Sequence, residues 1–260
     1  VNPLSSGNTR VKEARKLSRR SERSERRLFL AEGWKAVAEA AVVPGCLVEV
    51  FATPTAAAEH AALLDGQVVH LVDDRTAAGL AGAVTPQGLI GVCRFLDRPL
   101  ETVLTGDLLV ICADVRDPGN AGTVIRTADA VGASGVVLAG SSVDPYNDKA
   151  VRASVGSLFH LPLALAPDPA AVVASAREAG YLVLAADGAG EVDLFAADAL
   201  LTGRIAWLFG NEAWGLPEDL ASSADYRVAI PLLGRAESLN LATAAAVCLY
   251  ASARARSRLS

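Results

Sequence analysis

Methionine is absent from all 260 residues, position 1 included, and histidine occurs only three times. His60, His70 and His160 have no metal-ligand spacing, which leaves each a surface or packing role. The four cysteines, Cys46, Cys93, Cys112 and Cys248, form no CxxC pair, so a zinc ribbon and a thioredoxin-like redox site are excluded. Their apolar neighbours, as in VICAD and AVCLY, predict buried, reduced thiols in a cytoplasmic protein. Mean hydropathy is +0.32, yet no stretch approaches the roughly 18 consecutive apolar residues of a membrane span. The start, VNPLSSGNTRVKEARK, lacks the apolar segment of a secretory signal. No GxxxxGK[ST] is present, which argues against a P-loop nucleotidase, and no GxGxxG marks a dinucleotide site. The GASG of residues 132–135 is not the GxSxG of a hydrolase elbow.

What is present is 52% hydrophobic and 20% charged, enough apolar surface for a sizeable core and too much for a disordered chain. The length fits one large domain or two ordinary ones. Net charge is −5 but unevenly placed: residues 10–27 carry nine Lys/Arg and three acids, a segment of +6 on a remainder of −11. A basic N-terminal arm or helix over 1–27 on an acidic body predicts an RNA contact, with Arg15, Arg19, Arg20 and Arg26 as its candidate residues. The competing explanation is a solvated helix in a chain where Arg outnumbers Lys 20 to 4.

Hydrophobic periodicity predicts a small α/β domain over 28–96, with helices at 54–64 and 73–83 and strands at 48–51, 68–72 and 88–94. The segment DRPLETVLTG, 97–106, has Pro, Gly and charge without a period, so the boundary falls there. Over 107–260 apolar strands alternate with helices, among them 121–131, 149–158, 169–179 and a closing helix at 239–255. That alternation predicts a mostly parallel sheet.

Three polar turns follow buried strands. In Asp114–Gly132 the sequence DVRDPGNAGTVIRTADAVG turns at Pro118-Gly119, and Asn120 is the predicted helix cap. Capping does not explain Arg126, set among Val124, Ile125 and Ala128 on an apolar helix. The second turn is GNEAWGLP, Gly210 to Pro217; the third is IPLLGRAESLN, Ile230 to Asn240, with Ser238 the predicted cap of the last helix. Open backbone groups at three strand ends suit an adenosine-like ligand without a P-loop.

Taken in order, N-x-G-x-x-x-R-T-A-D-A-x-G, G-N-E-x-x-G-L and I-P-x-x-G-x-x-x-S-L-N resemble the three signature motifs of the SpoU (TrmH-type) RNA 2′-O-ribose methyltransferases. The likeness covers about residues 107–260, with Leu232-Leu233 where Met is common after the Ile-Pro. F-x-x-E-G and T-P-Q-G-L-I-G-V in the preceding part resemble the ribosomal-protein-like substrate-binding domain of many members. The resemblance implies an α/β fold with a trefoil knot in its C-terminal part, a homodimer, and S-adenosylmethionine as methyl donor without a metal. It implies donor contacts at Gly210, Ile230 and Leu239, with Gly210 leaving room for the donor's approach. It places Arg126, Asn120, Glu212, Ser238 and Asn240 in the polar active site, where Arg126 holds an RNA phosphate and the others orient the ribose hydroxyl. An rRNA substrate, 23S rRNA first, is favoured by the full N-terminal domain. The alternatives are a tRNA methyltransferase and a non-catalytic RNA-binding ribosome-assembly factor.

Overall fold

The computed structural model of the chain describes residues 2–83 and 85–257. Two compact units emerge: residues 1–96 together with 144–160, and residues 97–143 together with 161–260. Residues 144–160 lie within the span that the sequence pattern gives to the second domain, yet they pack with the first unit.

The first unit holds a four-stranded sheet of β1 (Leu28–Glu32), β2 (Leu47–Ala52), β3 (Val69–Leu71) and β4 (Leu89–Arg94), in the order β1-β4-β2-β3. β4 runs antiparallel to β1 and β2, and β3 parallel to β2. The basic segment is no free arm. It forms helices Thr9–Lys16 and Arg20–Arg26, and Val11, Ala14 and Leu17 share a core with Phe51, Val72, Leu80 and Ile90. Many of its cations are used internally: Arg10 pairs with Glu49, Lys16 and Arg26 with Glu13, and Arg19 with Glu22. Arg15 donates to the Gly79 carbonyl, whereas Arg20 and Lys12 make no ion pair among the described residues. The predicted helix 54–64 breaks in two, Pro54–Glu59 and Ala61–Leu64, because His60 leaves the helical region at φ −111°, ψ 29°.

The inserted segment is bound by aromatic packing and one buried ion pair. Tyr146 lies 4.9 Å from Phe29 and 3.8 Å from Phe95, ring centre to ring centre, and its hydroxyl accepts from the Leu96 N–H at 2.8 Å. The Arg23 guanidinium, 5% exposed, donates from Nε and Nη2 to Asp144 Oδ2 at 2.8 and 2.7 Å and from Nη1 to the Leu17 and Ser18 carbonyls. The helix predicted at 149–158 is Asp148–Ser154, capped by Asn147 and stopped where Val155 and Gly156 turn left-handed at φ +49° and +95°. Removing one partner of a buried pair leaves an uncompensated charge, typically at about 3–5 kcal/mol. Asp144→Ala should therefore destabilise the first unit by about that much in urea unfolding; a loss below ~1 kcal/mol would show that Arg23 finds water.

The second unit is a seven-stranded, wholly parallel sheet: β5 (Leu108–Ala113), β6 (Gly135–Ala139), β7 (Leu163–Ala166), β8 (Leu182–Ala186), β9 (Val192–Asp193), β10 (Ile205–Phe209) and β11 (Tyr226–Ala229). The spatial order is β7-β6-β5-β10-β8-β11-β9, so β10 slots between two strands that precede it in the chain. β5, LLVICA, is buried along its full length, as a strand covered on both faces must be. Leu109, Ile111, Ala206 and Leu208 share a core with Val172, Val173 and Ala176 of helix Pro169–Glu178. Trp207, next in alternation, is fully buried and donates its indole N–H to Ser252 Oγ of the closing helix at 2.9 Å. That helix spans Leu241–Ser257. All four cysteines are buried and free.

Candidate active site

At the C-terminal ends of β8, β10 and β11 the chain leaves the sheet in three turns, the last of them the longer loop that leads to the closing helix. Together they line a cavity of about 300 Å³, in the range of small-molecule sites. Gly210, Glu212, Ile230, Ser238 and Leu239 all line it; Asn120, Arg126 and Asn240 do not.

The turn after β10 is closed by its own backbone. Asn211 N–H donates to the Gly215 carbonyl at 2.8 Å, and Gly215 N–H returns to Asn211 O at 2.9 Å. Buried Asn211, the asparagine of the G-N-E turn, anchors the turn to β5 by donating from Nδ2 to the Asp114 carbonyl at 2.7 Å, while its Oδ1 accepts from Ala213 N–H. A Cβ at Gly210 would lie 2.6 Å from the Leu216 nitrogen and against the Gly215 carbonyl. The glycine is therefore demanded by closure of the 211–215 turn, not by room for a ligand.

Glu212 ties this turn to the helix after β5. Its Oε1 accepts from Asp117 N–H at 2.9 Å and Asn120 Nδ2 at 3.2 Å, and Oε2 accepts from Arg116 N–H at 3.1 Å. Asn240 Nδ2 donates to Asn120 Oδ1 at 3.1 Å, completing a relay from Glu212 through Asn120 to the closing helix. The two predicted caps are each displaced. Asp117 caps the helix Pro118–Ala130, accepting from Asn120 N–H, and Pro118 takes the first helical position. Asn240, not Ser238, caps the closing helix: its Oδ1 accepts from Ala242 and Thr243 N–H. Asn120, whose side chain is engaged by Glu212 and Asn240, leaves the cap to Asp117, whereas Asn240 both joins the relay and caps the closing helix.

Burial pushes the Glu212 carboxyl up, but the N–H groups of Arg116, Asp117 and Glu212 itself and the Asn120 amide outweigh it and leave it below its ordinary value of 4.5. The carboxylate is thus an ionised acceptor. The Cys112 thiol beneath it is pushed up to about 12 by burial first and by the Glu212 charge second. With a depressed carboxyl, the stabilisation of the turn is fully present above 4.5 and is lost as pH falls through the lowered folded value. Donor affinity, followed by calorimetry, should show no Glu212 titration from neutral pH down to about 5; a transition centred near neutrality that Glu212→Gln removes would contradict this assignment.

Asp187, Glu212 and Glu237 line the cavity, and no Lys or Arg does among the described residues. These acceptor carboxylates suit a ligand that carries positive charge, beside an apolar lining of Phe209, Val228, Ile230 and Leu239. Asp187-Gly188, at the end of β8, belong to this lining although no motif marks them. Ser238 is exposed and its hydroxyl has no partner among the described residues. Arg126 lies six residues beyond Asn120 on the same helix, about 9 Å along its axis. It is exposed, with neither hydrogen bond nor ion pair among the described residues. No helix among the described residues is long and apolar enough to cross a membrane.

Residues 107–250 match the SpoU rRNA Methylase family, and residues 8–91 the MRM3-like substrate binding domain. The chain is 32% identical to the 23S rRNA (guanosine(2553)-2′-O)-methyltransferase RlmP of Bacillus subtilis, over 95% of this chain and 96% of that protein. Among solved structures, an AdoMet-bound rRNA methyltransferase from Sinorhizobium meliloti superposes with a TM-score of 0.87 at 36% identity, covering 97% of both chains. The SpoU methyltransferase AviRb of Streptomyces viridochromogenes, in complex with the cofactor AdoMet, superposes with a TM-score of 0.86 at 30% identity, over 97% of this chain and 99% of that one.

Proposed function

Since the chain belongs to the SpoU rRNA methylase family, we propose that it transfers a methyl group from S-adenosylmethionine to a ribose 2′-hydroxyl of 23S rRNA, in the cytoplasm. The observation that carries this reading is the acidic, backbone-rich cavity at the ends of β8, β10 and β11. The bound donor supplies a methyl on a sulfonium, already activated for in-line displacement. No metal is needed. What remains for the protein is to align donor and acceptor and to assist loss of one proton.

Gly210, Ile230 and Leu239 would hold the donor, largely through backbone groups, and the carboxylates of Asp187 and Glu237 in the same lining would favour its positive charge. Ser238, whose hydroxyl is uncommitted among the described residues, orients the acceptor hydroxyl. Glu212, Asn120 and Asn240 are positioning residues, since their polar atoms already engage one another and the backbone. Arg126 binds the phosphate beside the target ribose with its planar fork. A guanidinium already carries its proton and cannot act as a simple general base, so the hydroxyl proton passes to the RNA phosphate, or to Arg126 where the assembled site perturbs it strongly.

The protein acts as a homodimer in which Arg126 of one subunit serves the donor held by the other. Support comes from the absence of Arg126 from the lining of its own chain's cavity and from the resemblance, which also implies a trefoil knot, with which the insertion of β10 between β5 and β8 is in keeping. A tRNA substrate and a non-catalytic assembly role are the competing readings. Calorimetric titration with S-adenosylmethionine, without RNA and with a chelator present, separates the enzyme from the assembly factor. Saturable binding is expected; no heat at any donor concentration would favour the assembly factor.

A further inference from the structure

We propose that Trp34, backed by His60 and flanked by Lys35, is a stacking platform for one unpaired base of the RNA, and that the cavity beside it receives that nucleotide. The inference rests on the proposed RNA substrate and concerns only the first unit. Trp34 opens the helix Trp34–Val42 and is 42% exposed. A tryptophan has 150–250 Å² to bury, and Phe29, Phe51 and Tyr146 of the same unit are buried fully or nearly so. Trp34 is instead held out and fixed in orientation. Its ring stacks on His60 at 5.8 Å with a 19° interplanar angle. His60 reaches it because the chain breaks between helices Pro54–Glu59 and Ala61–Leu64.

Charge and hydrogen-bonding groups surround the ring. Lys35 Nζ lies over the ring, 5.6 Å from its centre, and makes no ion pair among the described residues, so its flexible side chain is free to move from the ring to an RNA phosphate as a base takes its place. The adjoining cavity of about 300 Å³ is lined by Trp34, Lys35 and Gln87, and by Arg152 and Glu32, which pair with each other at 3.4 Å. Gln87 Oε1 accepts from Trp34 N–H at 3.4 Å, which leaves its amide N–H groups, without partners among the described residues, for a base edge. An aromatic face, a neighbouring cation and a side-chain amide are the elements that recognise an unstacked nucleotide. A duplex offers no base face to such a platform. The first unit also carries 14 Lys/Arg against 12 Asp/Glu, while the second carries 10 against 17. An RNA strand is therefore drawn to the unit that bears Trp34.

The test is fluorescence anisotropy on the full chain, with an unstructured single-stranded RNA of about 12 nucleotides and with the same sequence as a duplex. Trp34→Ala should weaken single-strand binding about tenfold and leave duplex binding unchanged, and Trp34→Phe should keep most of the affinity. Equal single-strand affinity in Trp34→Ala would overturn the platform, as it would if Trp34 faces a protein partner instead. Parallel loss for both RNAs, or failure of Trp34→Phe to retain binding, would also overturn it in favour of a structural role. Donor affinity is measured on the same preparations. Wild-type protein that takes no S-adenosylmethionine, yet shows the strand-selective Trp34 effect, would refute the methyltransferase reading and leave the platform standing.

Discussion

Gly210→Ala should weaken S-adenosylmethionine binding about a hundredfold, although it adds one carbon atom. The added Cβ meets backbone rather than a flexible side chain: the Leu216 nitrogen at 2.6 Å and the Gly215 carbonyl. Backbone cannot swing aside, so the 211–215 turn must open and break the paired hydrogen bonds between Asn211 and Gly215. Overpacking of this kind costs about 1–3 kcal/mol, which spans roughly fivefold to a hundred-and-fiftyfold in an equilibrium. The displaced turn carries Glu212 and part of the cavity wall, so the loss falls on the donor site. Gly215 provides the contrast. It sits at φ +69° with open space where a Cβ would be, so Gly215→Asn should cost only the modest strain of a left-handed side chain. Comparable donor affinity in Gly210→Ala and the parent, or equal losses at the two glycines, would contradict the backbone-closure account.

Arg126→Ala should lower methyl transfer by about 10²–10³ while leaving donor affinity within error of the parent. Arg126 lines no part of the donor cavity and makes no hydrogen bond or ion pair that its removal would break among the described residues. Arg126→Lys should fail almost as badly, because an ammonium cannot present a planar two-pronged donor to a phosphate. Full activity of the Lys variant would reduce the role to a point charge. The dimeric site is checked in mixed dimers that pair an Arg126→Ala subunit with a Gly210→Ala subunit. At a donor concentration well below the weakened affinity of the Gly210→Ala pocket, each homodimer is expected to be nearly inactive. A mixed dimer rebuilds one working site if Arg126 acts across the interface. A mixed dimer confirmed by mass, yet inactive, would place Arg126 in service of its own chain.

Much of this architecture is legible in the sequence because buried parallel strands announce themselves as continuous apolar runs. LLVICA and IAWLF can only be covered on both faces, and the polar turns that follow them mark strand ends. Pairings across long sequence distances leave no such mark. Nothing in the run DPYNDKAVRASVGSLFH shows that Asp144 will meet Arg23, 121 residues earlier, or that Tyr146 will pack on Phe29. A segment whose periodicity resembles its neighbours is therefore assigned to the wrong compact unit. The same limit applies to the candidate site. The motifs bring out Asn120, Glu212 and Asn240, but their mutual hydrogen bonds span 92 and 120 residues and decide which of them cap helices. Asp117 could have been identified from its own dipeptide, since Asp followed by Pro is a favoured helix start. The two-residue strand β9 has no period to detect.

The most direct test of the central claim is to incubate the purified protein with S-adenosylmethionine and 23S rRNA from a strain lacking its gene, then locate the methyl group by nuclease digestion and mass spectrometry. The account predicts one nucleotide that gains a 2′-O-methyl ribose, absent when Arg126→Ala protein is used. A methyl group on a base, or no incorporation into rRNA alongside efficient incorporation into tRNA, would contradict it.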